Sequence, residues 1–297
     1  MKHDPAPIVI FGEVLFDQFP DHTLLGGAPF NVAWHLQALG AKPTFVSRIG
    51  YDTAGDEVLV RMRDWGMSTA AMQRDPVHPT GAVQITLREG QPSYAILPAQ
   101  AYDFIEPGVI TPPTGGALLY HGSLAIRAPQ SAAALEKLRQ MPGFAVYCDV
   151  NLRSPWWQRD TLLRQLVGTR YIKLNHDELG RLLPALAGDA ERLEWLHRHT
   201  GCDAVIVTRG AEGASVHTAA GDNHAVKPGP AVTVVDTVGA GDAFTAVTLF
   251  GLSRGWSWQT TLPAAQALAS HVVAQRGALV ESRAVYRDLL ADWNVQL

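Results

Sequence analysis

The chain has 297 residues, 47% hydrophobic and 18% charged, with 24 basic and 28 acidic side chains and a formal net charge of −4. That length and apolar content suffice for one large α/β domain or two smaller ones, and the lack of any Lys/Arg run excludes a phosphate-backbone track, so nucleic acid is not an expected partner. The apolar "IVIF" stops at Gly12 and Glu13, too short for a signal core or membrane span, and Cys148 and Cys202 lie far apart; a cytoplasmic protein without a membrane partner is expected.

In chain order, "IVIFG" at 8–12 reads as a strand, 29–39 as a helix, "PTFVSRI" at 43–49 as a strand and 54–65 as a helix. "TGAVQITLREGQPSYAIL" at 80–97 alternates with period two around a glycine-containing turn, the pattern of a half-exposed antiparallel hairpin that needs a second sheet or lid. "ALLYHG" at 117–122, a helix at 130–140, "FAVYCDV" at 144–150 and "YIKL" at 171–174 follow. Helices at 176–183 and 189–199, the strand "AVIVT" at 204–208, and helices at 240–253, 261–275 and 283–292 complete the series. Near-continuous apolar strands alternating with helices predict a parallel, doubly wound α/β sheet covered on both faces. Pro29 suits a first helical turn, and Gly40 and Gly66 suit left-handed helix ends. No repeat or linker divides the chain, so residues 1–297 read as one domain with a small β excursion.

In "DTVGAGDAFTAVTLFG" the apolar positions Ala243, Phe244, Val247, Phe250 and Gly251 recur at helical spacing, which starts the helix near Ala240. Its first amides belong to a glycine turn, and unpaired N–H groups at the positive end of a helix dipole form an anion site that Gly239 and Gly241 leave open. Asp242 then stands beside the anion. Alternatively it only complements the dipole, and spacing alone leaves both open. "GGAPFNVAWHLQALG" at 26–40 is a second glycine turn into a helix, where Gly26, Gly27 and Asn31 could bond a polyhydroxylated ligand or simply make a tight turn. "KLNHDEL" at 173–179 holds Asn175 and Glu178 in capping-box spacing, which needs no ligand. No Walker A loop and no full Rossmann glycine motif follows any strand. His197 and His199, two apart on a polar helix, share no face for a metal, and Trp156 and Trp157 read as packing residues.

Taken together, these segments resemble the ribokinase-like (PfkB-type) carbohydrate kinases over essentially the whole chain. "GGAPFNVAWHLQALG" with "RIGYDTAGDEV" is similar to the family's N-terminal signature, and "VVDTVGAGDAFTA" to its C-terminal one. "PTGAVQITLREGQPSYAILPAQAYDFI", "YHGSLAIR" and "CDVNLRSPWW" look most like bacterial fructokinases. Two features depart from the pattern: Phe30 stands where fructokinases often have a small residue, and 264–278, on the adenine side, matches loosely.

The resemblance implies a three-layer α/β/α sandwich with a small β-sheet lid, its lid segments near 13–25 and 80–98, and ATP-dependent transfer of a phosphoryl group to a sugar, fructose first. It makes Asp242 the general base and the amides of Gly239, Ala240 and Gly241 the anion hole. Asp17, Gly27, Asn31 and Arg153 would hold the sugar; Thr208, Gly210, Gly213 and Asn175 would serve the nucleotide. Glu178 would organise Mg²⁺ through water, and Asp236 with the Val238 carbonyl matches positions that hold a monovalent cation such as K⁺ in some relatives. Ribose, nucleoside or 2-keto-3-deoxygluconate kinases share the implied fold, as would a catalytically silent sugar-binding regulator. Lidded relatives often form homodimers through the β excursion.

Overall fold

The computed structural model describes residues 4–88, 91–108, 115–229 and 232–295. The first part of the chain runs β1 (Ile8–Phe11), β2 (Leu15–Gln18), β3 (Thr23–Gly26), α1 (Ala28–Ala38), β4 (Thr44–Gly50), α2 (Thr53–Asp64), β5 (Met72–Asp75), β6 (Gly81–Arg88) and β7 (Gln91–Ile96). The middle runs β8 (Ala117–His121), α3 (Pro129–Arg139), β9 (Phe144–Asp149), α4 (Arg159–Leu166), β10 (Tyr171–Asn175), α5 (His176–Leu182) and α6 (Asp189–Thr200). β11 (Ala204–Thr208), β12 (Ala214–Thr218), β13 (Asn223–Val226), α7 (Ala240–Ser253), α8 (Trp258–Val272) and α9 (Arg283–Asp292) follow.

Nine strands form one sheet in the order β13-β12-β11-β10-β9-β8-β1-β4-β5, parallel from β11 to β5, with β12 and β13 added antiparallel at one edge. Period-two alternation divides the strand side chains between the two faces of the sheet. Ile8, Ile10, Leu118, Tyr120 and Ile206 pack with α1, α2, α7, α8 and α9 through residues such as Leu36, Met62, Phe250, Leu268 and Tyr286. Val9, Phe11, Leu119 and Val146 pack on α3, and Cys148, Ile172, Leu174 and Val205 pack on α4, α5 and α6. The result is the expected doubly wound three-layer sandwich. β3, β2, β6 and β7 form a separate four-stranded sheet, with β2 parallel to β6 and antiparallel to β3.

Gly40 and Gly66 are left-handed, with φ of 80° and 78°, and close α1 and α2. α8 begins at Trp258 instead of 261 because the Ser257 hydroxyl accepts the Thr260 amide as an N-cap; Pro263 sits inside the helix. β5, β12, β13 and α4 have no counterpart among the expected elements. α4 is eight residues long and buries only Leu162 and Leu166, too short a repeat to announce a helix. No helix among the described residues is long and apolar enough to cross a membrane.

Candidate active site

β1 lies between β4 and β8, so the chain leaves the sheet centre in opposite directions and opens a crevice beyond the carboxyl ends of the strands. Glu13 beyond β1, Asp149 of β9, Lys173 and Asn175 of β10, Thr208 of β11 and the start of α7 line a cleft of about 1570 Å³ there, and one face of the small sheet forms its wall.

The head of α7 supplies the amides. Gly239 has φ of 81°, and a Cβ on it would fall 2.3 Å from the Ala278 Cβ, so glycine is required there by the segment around Ala278 before any ligand is considered. The amides of Ala240, Gly241 and Asp242 have no helical acceptor one turn earlier, and Ala240 makes only a 3.4 Å bond to the Thr237 carbonyl. Gly239, Gly241 and Asp242 line the cleft; Ala240 is not among its lining residues. Asp242 is half-buried on the floor, where its Oδ2 accepts a 2.8 Å bond from Asn31 Nδ2 of α1. Burial pushes its pKa up to about 6; Asn31, Lys173 and Arg153 hold it down and Asp149 adds to the rise.

The small sheet presents a mostly apolar face. Asp17 is registered between Leu24 and Val83, with Ile96 beyond Val83, and Leu15, Ile85 and Tyr94 line the cleft beside them. Burial raises the Asp17 pKa against the pull of the exposed Arg153. A Cβ on Gly26 would sit 3.7 Å from Asp17 Oδ2 and 3.8 Å from Asn31 Oδ1, so the two acceptors flank one small gap. Asn31 Oδ1 is buried without a partner among the described residues. Gly27 has φ of 106° and no room for a Cβ, which would lie 2.9 Å from the Glu13 carbonyl.

On the other side, Asn175 and Glu178 form the capping box: Asn175 Oδ1 accepts the Glu178 amide at 2.9 Å, and Glu178 Oε2 accepts the Asn175 amide at 2.8 Å. Glu178 Oε1 accepts the Leu152 amide at 2.7 Å, so both carboxylate oxygens already hold backbone. Thr208 and Gly210 line the cleft. Gly213 does not; its φ of 91° and a would-be Cβ 2.0 Å from the Val226 carbonyl tie it to the turn into β12. Asp236 receives the Val238 and Gly277 amides, each at 3.0 Å, and clamps the two loops together. Among the described residues no group of three His, Cys, Asp or Glu could hold a metal.

Several cleft residues escape the sequence reading. Glu13 is 2% exposed, its Oε2 unpartnered among the described residues, and burial raises its pKa to about 7, with Arg153 lowering and Asp242 raising it. Lys173 is 5% exposed and pairs with Asp149 Oδ2 at 2.7 Å, an oxygen that also accepts Thr245 Oγ1 at 2.9 Å. A lysine inside an apolar strand was the available signal, since a buried ammonium requires a partner. Phe30, in contrast, is fully buried against Trp34 and Phe45 and does not line the cleft, so its departure from the fructokinase pattern falls in the core. His199 stacks on Trp195, His197 faces the Cys202 carbonyl half-buried, and Trp156 packs under Arg127.

A family model described as "pfkB family carbohydrate kinase" matches residues 10–283. The chain is 32% identical over 269 residues to an aminoimidazole riboside kinase of Salmonella typhimurium, covering 86% of this chain and 83% of that protein. It is 31% identical to a fructokinase of Klebsiella pneumoniae, covering 83% and 84%. Among solved structures, a fructokinase from Vibrio cholerae O395 with fructose, ADP and calcium bound superposes with a TM-score of 0.82 at 27% identity, covering 97% of this chain and 100% of that one.

Proposed function

The chain belongs to the pfkB family of carbohydrate kinases, and on that footing we propose that it transfers the γ-phosphate of ATP to the C6 hydroxyl of D-fructose, giving fructose 6-phosphate. The observation that carries the reading is the place of Asp242, where the head of α7 meets the gap between Asp17 and Asn31. A sugar held by Asp17, Asn31, Arg153 and the Gly27 turn would present one hydroxyl to Asp242, and the amides of α7 would receive the phosphoryl group. The hydroxyl oxygen bonds to Pγ while the bond from Pγ to the bridging oxygen breaks. The electron pair leaves on the β-phosphate of ADP, and the hydroxyl proton passes to the Asp242 carboxylate. With a pKa about 6, Asp242 is mostly ionised at neutral pH and still basic enough to accept that proton.

Each Glu178 oxygen keeps a lone pair beyond its backbone bond, which fits Mg²⁺ held through water and the nucleotide phosphates instead of a protein cage. Such an ion would neutralise charge on the β- and γ-phosphates. Thr208, Gly210 and Asn175 border the same end of the cleft and would face the nucleotide, while the Val238 carbonyl beside Asp236 would serve K⁺. Tyr94 and Leu24, 59% and 42% exposed at the rim of the apolar face, support a homodimer through the small sheet, which sedimentation velocity tests.

The fructokinase-like segments support the choice of fructose indirectly. "AYDFI" and "GSLAIR" supply the buried Asp103–Arg127 pair, and Arg127 also donates to the Leu97 carbonyl just past β7 at 2.6 Å. They set the small sheet above the site. One observation favours a second reading: Leu15, Val83, Ile85 and Ile96 could cover a heterocycle as well as a sugar, as a riboside would require. Coupled ADP-release assays over fructose, ribose, glucose, aminoimidazole riboside, adenosine and 2-keto-3-deoxygluconate, with NMR of the product, decide between them. A kcat/KM at least tenfold higher for another acceptor would replace fructose and leave the kinase assignment in place.

A further inference from the structure

Lys173 lies on β10 with its Nζ at the floor of the cleft, 5% of the residue exposed. Its ammonium carries three donors, and among the described residues only Asp149 accepts from it, at 2.7 Å. Asp149 is engaged on the same oxygen by Thr245 Oγ1 of α7, so the carboxylate is fixed and the lysine is fixed against it. A Cβ placed on Gly241 would fall 3.6 Å from Lys173 Nζ, which puts the ammonium directly against the turn whose amides face the cleft. A buried cation with unspent donors on the wall of an open cleft is incompletely satisfied by the protein alone.

We propose that Lys173 is a further catalytic residue of the phosphoryl transfer, its ammonium donating to an oxygen of the transferred γ-phosphoryl group beside the Gly241 amide. The inference rests on the kinase reading above. Burial would by itself discharge the lysine, but the Asp149 carboxylate beside it, with Glu178 and Asp242 near by, keeps it charged. Throughout the step Lys173 keeps its proton; Asp242 alone takes the one released by the sugar. Phosphoryl transfer asks the protein mainly for fixed positive charge around the equatorial oxygens, and this chain has no Walker lysine to provide it. A strand lysine reaching the turn from below would fill that role with no mobile loop. The competing role is structural, in which Lys173 only neutralises Asp149.

Two variants and one direct measurement separate these roles, with wild-type sugar turnover as the control for the kinase reading itself. In Lys173→Met, kcat should fall about 10²-fold or more, fructose KM should stay within about threefold, and affinity for ATP should drop at least about tenfold more than affinity for ADP. Lys173→Met/Asp149→Asn removes the stranded carboxylate, so it should regain thermal stability without regaining turnover. Recovery of turnover in the double variant, or equal losses of ATP and ADP affinity, would overturn the proposal. Should neither variant fold, ¹⁵Nζ NMR of the wild-type lysines reads the contact directly: the Lys173 ammonium signal should move on adding a non-hydrolysable ATP analogue and not on adding ADP or fructose. An unmoved signal contradicts the proposal. If the wild type phosphorylates no sugar while the signal still moves, the fault lies with the acceptor assignment and not with Lys173.

Discussion

Asn31 Nδ2 donates a 2.8 Å hydrogen bond to Asp242 Oδ2 across 211 positions of sequence, joining the first glycine turn to the last. The bond favours the ionised carboxylate that burial disfavours. Asn31→Ala should therefore raise the Asp242 pKa by about one unit. Because only the ionised form accepts a proton, the acid limb of the kcat–pH profile should move to higher pH. An unshifted limb would mean that Asn31 serves the sugar alone.

Glu13 gives a stability prediction with a definite sign. Its pKa rises from an ordinary 4.5 to about 7, so the folded protein holds the proton more tightly than the unfolded chain does. The contribution is fully present below about pH 4.5 and is lost as pH rises through about 7. Glu13→Gln, which stays neutral, should match the wild type near pH 5 and exceed it near pH 8 by up to about 3 kcal/mol. Urea midpoints at the two pH values check this.

The two glycines of the last turn should fail differently. Gly239→Ala forces a side chain into a left-handed residue and against Ala278, and should lower Tm by several degrees along with activity. Among the described residues Gly241 has only Lys173 Nζ within 4 Å of its missing Cβ, so Gly241→Val should keep Tm within a few degrees and fructose binding within about threefold while turnover falls about 10²-fold. Differential scanning fluorimetry with calorimetric sugar binding separates the two.

Arg127 holds the small sheet from below through Asp103 and the Leu97 carbonyl. Arg127→Met leaves Asp103 buried and unpaired, which should cost about 3 kcal/mol of stability. It should also raise the KM for sugar several-fold and leave that for ATP nearly unchanged, as loosening of a cover over the acceptor requires. Equal changes in both constants would contradict a covering role for the sheet.

The layered fold was legible because parallel strands buried on both faces leave long apolar runs such as "AVIVT", and glycines mark where helices end. Edge strands β5 and β13 carry mixed residues, "MQRD" and "NHAV", which bury too little to declare themselves, and β12 beside β13 alternates in "ASVHT". The glycine turns and Asp242 were visible as local patterns. Glu13 and Asp149 were not, because their significance lies in which strand ends the sheet brings together, and Lys173 left only the signal of a lysine inside the apolar strand "YIKL". Asn175 and Glu178 show the converse: the capping box read from spacing is present, and the further bond from the Leu152 amide to Glu178 Oε1 joins residues 26 apart, which spacing does not announce.

The central claim, that Asp242 is the base acting on a fructose hydroxyl, is tested most directly by the kcat of Asp242→Asn on fructose, measured beside calorimetric fructose binding. The expected result is a loss of about 10²-fold or more in kcat with fructose affinity within about threefold of wild type. A variant that keeps near wild-type kcat would contradict it and leave Asp242 as no more than a charge at the start of α7.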